Sequence, residues 1–220
     1  MKMPSFSFPA GWVLFSAEEF ADTKHLFSNA DLDLSVFGDS ADAAKRLIGD
    51  FSGRADDANL MLAARFLEES EIVDADGKKQ RTLLLMTAVV SLLEVDESSN
   101  EDFRPDLSTL LVALTHDPIG EDGAIVPSDS LLRLPEFRQV GPFEALRLSQ
   151  LIRIYELVDA VTGFREPISI GVKDTFFIDV REGNQRFEPL VVQFASPNLL
   201  NWDQLQDLWS AIVETLNFGT

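Results

Sequence analysis

Two histidines, His25 and His116, titrate nearest neutrality and are the first candidates for a general base or metal ligand. No HExxH-like spacing accompanies them, and Asp117-Pro118 after His116 reads as a turn closing a strand. Structural or surface roles are the better reading. Asn29, Asp31 and Asp33 place oxygens at the first, third and fifth positions of a calcium loop. However, Leu34 stands where the sharp turn needs glycine, and Ser40 where a bidentate glutamate belongs. That segment reads as a solvated loop or helix end. Paired carboxylates occur in Glu68-Glu69-x-Glu71 and in Asp96-Glu97 with Glu101-Asp102. An acid/base pair needs two carboxylates about 5 to 10 Å apart over a cleft, whereas adjacent acids in polar sequence are ordinarily solvated.

Other chemistries lack their residues. Without cysteine there is no disulfide, thiolate nucleophile or cysteine-bound metal. Gly-x-Ser-x-Gly, the P-loop and the dinucleotide glycine fingerprint are all missing from the sequence. No cofactor and no metal is expected. Trp12, Trp202 and Trp209 read as packing groups between helix and sheet rather than as a ligand platform.

Eighteen basic residues against 37 acidic ones leave a net charge of −19 on 220 residues, yet 45% of the chain is hydrophobic and 17 residues are Phe. That apolar content supports a core, so the charge belongs to the surface. Nucleic acid and anionic membranes are poor partners for such a surface. No run of 18 apolar residues occurs, and the expectation is a cytoplasmic, unanchored protein.

The elements that would position these residues follow from spacing. Ser16 with Glu19 fits a capping box opening a short helix, and Ala41, Ala44, Leu47, Ile48 and Phe51 share a second helical face. Residues 59–71 and 81–95 read as two long antiparallel strands joined through Asp76-Gly77, with a buried helix over 83–93 as the alternative. Leu107 to His116, bounded by Pro105 and Pro118, is expected to be a third strand. Residues 117–142, with four Pro and three Gly, are expected to form a long loop. Phe143 to Leu157 and Val172 to Val180 alternate as strands, and Leu190, Val192 and Phe194 form the next inward set. From Trp202 to Leu216, Leu205, Leu208, Trp209, Ile212 and Val213 recur at helical spacing, with Gln206 among the outward positions. This helix should lie on the inward set of the three preceding strands. The expectation is a single α+β domain over 1–220: an α/β/α sandwich with a curved, mostly antiparallel sheet and an acidic loop region over about 94–142.

Pro9-Ala10-Gly11-Trp12, Val140-Gly141-Pro142 leading to Arg147, and Phe194-Ala195-Ser196-Pro197-Asn198 before a helix ending Ile212-Val213-Glu214-Thr215-Leu216 are the residues that carry a resemblance. In this order they resemble PsbP-like proteins, which include photosystem extrinsic subunits, Mog-type proteins and actinobacterial relatives. The resemblance covers a third to a half of the chain. It implies the sandwich fold and protein binding without catalysis.

The leading reading is therefore a non-enzymatic interaction module with an unknown, basic protein partner. Glu94 to Asp122 holds nine acids and one base, Arg104, so Asp96, Glu97, Glu101 and Asp102 are the candidate partner-binding residues. Two other readings stay open. One is a small-molecule binder or enzyme in which Gln150, Arg153 and Tyr155 converge between sheet and helices. The other is a homo-oligomer built on exposed strand edges.

Overall fold

The structure, a computed structural model, describes residues 4–15, 19, 59–73, 77–94, 105–116, 131–159, 164–181, 186–197 and 202–218. Within them lie β1 (Pro4–Ser5), β2 (Trp12–Phe15), β3 (Leu60–Val73), β4 (Lys79–Leu92), α1 (Leu107–His116), β5 (Glu136–Val140), β6 (Phe143–Asp159), β7 (Phe164–Asp179), β8 (Leu190–Ser196), α2 (Trp202–Glu214) and β9 (Asn217–Phe218). The class is α+β. Seven strands form one sheet in the order β2-β3-β4-β8-β7-β6-β5, and β1 pairs separately with β9. Every neighbouring pair is antiparallel.

The Asp-Gly signal marks the β3–β4 connection as expected. Gly77 has φ +78°, a conformation that side chains with a Cβ disfavour, and Lys79 bridges to Glu71 at 2.8 Å next to the turn. The helical alternative over 83–93 does not form. Its β-branched and Leu-rich run is instead buried on both faces, with Leu85 and Val89 on one and Val90 on the other.

Register decides which side chains share a face. Arg147 opposes Phe176 and Ser149 opposes Asp174. Phe176 in turn opposes Val192 and Asp174 opposes Phe194. α2 lies on this face, packing Leu205, Trp209, Ile212 and Val213 into the cluster that holds Phe176, Val192 and Phe194. The Trp209 ring stacks on Phe194 at 5.6 Å. Full burial of such side chains stabilises by about 1.5–3 kcal/mol each, so α2 is a principal contributor to the core. Trp12 and Trp202 pack at the margin of the same cluster, so all three tryptophans are core groups.

Three expectations need correction. Leu107 to His116 is a helix, not a strand: Asp106 accepts from the Thr109 N–H at 2.8 Å as an N-cap. Leu107, Leu110, Leu111 and Leu114 then fall on one face against Leu146, Leu148 and Phe177. Pro105 precedes the cap and removes no helical bond. Those β6 leucines consequently face α1, not α2, and β6 offers α2 its polar alternates Arg147 and Ser149. Within 117–142, residues 136–140 form β5 rather than loop. Gln206 is not outward either, being 3% exposed. The two helices expected from Ser16 and around Ala41 to Phe51 lie outside the described residues, apart from helical Glu19.

Candidate functional site

β5 ends the sheet, so its outer backbone groups face no strand among the described residues. It joins β6 through Gly141-Pro142, with Val140 opposite Phe143 and Glu136 opposite Arg147. Gly141 has φ +57°, as the first residue of a tight two-residue hairpin requires. Residues flanking such a turn exchange both backbone bonds, and bonded pairs then recur at every second residue. Val140, Arg138 and Glu136 therefore bond inward to β6. Ser149, in the same phase of β6, accepts from the Leu132 N–H at 2.8 Å. Phe137 and Gln139 are left with N–H and C=O groups directed away from the sheet. Phe137 is 52% exposed and Leu134, just before the strand, 88%. The edge thus combines backbone unpaired by any strand among the described residues with apolar side chains.

Open clefts flank this strand. On the α2 side, one of about 490 Å³ lies between Glu136, Arg138 and Arg147 of the hairpin and Asp207, Ser210 and Glu214 of α2. On the α1 side, one of about 520 Å³ is lined by Phe137, Glu144, Asp179 and Arg181 and the first turn of α1. The cations in both are already held. Arg138 donates to Ser210 Oγ at 3.1 Å and to Glu214 Oε1 at 2.7 Å. Arg181 donates to Asp179 and to the Pro105 carbonyl, 3.2 Å away, and lies over the Phe187 ring at 4.7 Å. Hydrogen bonding to Asp179 raises the Arg181 pKa, and the bond from the Thr109 N–H lowers that of Asp106.

Beneath the α2-side cleft lies a buried ionic cluster. Arg147 Nε donates to Asp174 Oδ2 at 2.9 Å, Nη2 donates to the same oxygen, and the guanidinium lies over Phe176 at 5.2 Å. Gln206 Nε2 donates to Ser149 Oγ at 3.1 Å. Asp174 is fully buried and its pKa is raised, because desolvation outweighs the opposing pull of Arg147 and of the Ser149 and Gln206 dipoles. Asp174 Oδ1, Gln206 Oε1 and Trp209 Nε1 have no partner at hydrogen-bonding geometry. These side chains hold α2 to the sheet.

The opposite face contains a second buried arginine. Arg65 opposes Thr87, which opposes Ala195, and the row continues through Lys173 to Gln150. Arg65 is 4% exposed, its Nε and Nη1 have no hydrogen-bond partner, and its guanidinium lies 5.7 Å from the Phe15 ring centroid. Burial alone lowers its pKa.

Asp96, Glu97, Glu101 and Asp102 lie outside the described residues, as do His25, Asn29, Asp31 and Asp33. His116 ends α1. Glu68 is exposed and Glu71 is bonded across the hairpin to Lys79, while the Glu69 side chain lies outside what the structure describes. Gln150 is buried with Oε1 unpartnered, whereas Arg153 and Tyr155 are described only as backbone of β6. Among the described residues no group of three or more His, Asp or Glu is placed to hold a metal, and no helix is long and apolar enough to cross a membrane. The Arg147–Asp174 pair, Arg65 and the β5 edge escaped sequence reading. Asp174 did leave a signal, as the one acid in the inward series from Val172 to Val180. Comparison with family models, curated proteins and solved structures gives no match.

Proposed function

We propose that this protein is a non-enzymatic interaction module whose contact surface is centred on the free edge at β5. The observation that carries this reading is the exposure of Phe137 and Leu134 beside a strand edge that no strand among the described residues pairs. Extended segments bind such edges by backbone bonds, with side chains adding specificity. The flanking arginines support it by being engaged with their own carboxylates, so the clefts offer shape and negative charge rather than a free reactive group. A net charge of −19 favours a basic partner, and in this reading Asp96, Glu97, Glu101 and Asp102 steer its approach. An α/β/α sandwich of PsbP-like type around a curved sheet, in the cytoplasm, belongs to the same proposal.

The test is affinity capture from native lysate with the parent chain and with Phe137→Asp as baits. A basic protein retained by the parent and lost with the variant is expected, with association slowing as salt rises. Equal capture by both baits would remove the edge from the reading. A second reading, a small-molecule binder, is favoured by Arg65: a buried guanidinium whose Nε and Nη1 have no hydrogen-bond partner among the described residues suits an anionic group.

A further inference from the structure

We infer that the partner fitted to β5 is a second copy of this chain, paired antiparallel about a two-fold axis through Phe137. This rests on β5 as the proposed interaction edge and departs from that reading in the occupant, placing a second acidic copy where net charge alone favours a basic protein. Two features converge on one register. The outward-bonding residues are Phe137 and Gln139, so a dyad at Phe137 lets the two Phe137 residues exchange both of their backbone bonds. The Gln139 N–H of each copy then meets the Pro135 carbonyl of the other, while Pro135, which has no N–H, returns no bond to the Gln139 carbonyl, so the ladder ends there. The same register sets Glu136 of one copy opposite Arg138 of the other, twice, at the non-bonded positions where side chains approach most closely. Opposite charges across strands are stabilising there. Glu136 is exposed, and Arg138 already bridges to Glu214, so the arriving carboxylate extends an existing ion pair. The half-exposed Phe137 rings meet across the axis on the α1-side face. Moving the dyad to Arg138 would keep Phe137 bonded to Gln139 of the other copy but set Arg138 against its own copy, like charge opposite like charge.

The chain contains no cysteine, which makes the register directly measurable. In the inferred pair the two Phe137 Cα atoms are about 5.5 Å apart, within the range a disulfide spans. The two Gln139 residues are offset by four positions, roughly 14 Å, beyond that range. Full-length Phe137→Cys, Gln139→Cys and, at the opposite edge, Leu14→Cys are oxidised under identical conditions. Phe137→Cys should cross-link faster by roughly tenfold or more than either control.

Sedimentation of the parent should show a monomer–dimer equilibrium that strengthens with salt, because copies carrying −19 each repel. Gln139→Pro, which removes an outward N–H while leaving the hairpin bonds intact, should weaken it roughly tenfold or more with unchanged circular dichroism. A parent that stays monomeric to millimolar concentration overturns the inference. So does preferential cross-linking at Leu14→Cys or Gln139→Cys, or a dimer indifferent to Gln139→Pro. A monomer that binds a basic protein through Phe137 would overturn self-pairing alone and leave the interaction module standing. A dimer with no captured partner would do the reverse.

Discussion

Arg147 and Arg65 are buried arginines on opposite faces of one sheet, 8% and 4% exposed, and each lies against a phenylalanine ring. Arg147 has Asp174, while the Nε and Nη1 of Arg65 have no partner. The face that anchors α2 neutralises its cation, as a structural buried charge must. On the other face the desolvation of two guanidinium nitrogens has no hydrogen bond to offset it among the described residues. That difference separates a charge that serves the fold from one that costs the fold and marks a place to look for a ligand.

The comparison breaks most sharply at Asp174. Asp174→Ala leaves Arg147 buried and uncompensated, and should cost about 3–5 kcal/mol in urea denaturation. Replacing both partners, Arg147→Met with Asp174→Leu, should recover most of that loss. A double variant no more stable than Asp174→Ala would show that the ions are needed individually. The pH dependence has an unusual sign. Because the folded state raises the Asp174 pKa, it binds this proton more tightly than the unfolded chain. The Asp174 contribution therefore falls as pH rises from the ordinary aspartate value to its raised one, and Asp174→Asn should abolish that slope.

Arg65 should respond with the opposite sign. Arg65→Met removes an unsatisfied buried donor group, so stability should rise by about 1–3 kcal/mol, whereas Arg147→Met alone should lower it. If Arg65→Met destabilises, the contrast between the faces fails.

A smaller effect sharpens the α1 side. Asp106→Ala should cost about 1 kcal/mol through loss of the N-cap. Because the Asp106 pKa is lowered in the folded state, this contribution is present above the ordinary aspartate value. It should fade as pH falls through the lowered one, so parent and variant melting curves should converge in acid.

Local patterns carried much of the fold. Asp76-Gly77 between apolar runs marked β3 and β4, alternation marked β6 to β8, and the spacing from Trp202 to Val213 marked α2. What failed was information held between elements. Leu107, Leu110, Leu111 and Leu114 have helical spacing after an aspartate cap, but the short apolar run between prolines also suits a buried strand. The side of β6 that faces α2 is set by its register with β7, which no single strand encodes. Gln206 interrupts the apolar face of α2 because Ser149 waits opposite it. For the candidate site, Gly141-Pro142 was visible as punctuation, but that Phe137 lies on a free edge depends on the order of all seven strands.

β1 and β9 hold the two ends of the described chain side by side, Pro4 against Phe218 and Ser5 against Asn217, with the Ser7 N–H reaching Thr215 Oγ1 at 2.8 Å. Both chain ends leave this clasp at the same side. Tension applied through them loads its few bonds one after another, as a zipper opens, rather than all at once in shear. The clasp would yield at low force and pass the load to the last turn of α2 at one end and, through residues 6–11, to β2 and its pairing with β3 at the other, so both margins of the larger core are strained together.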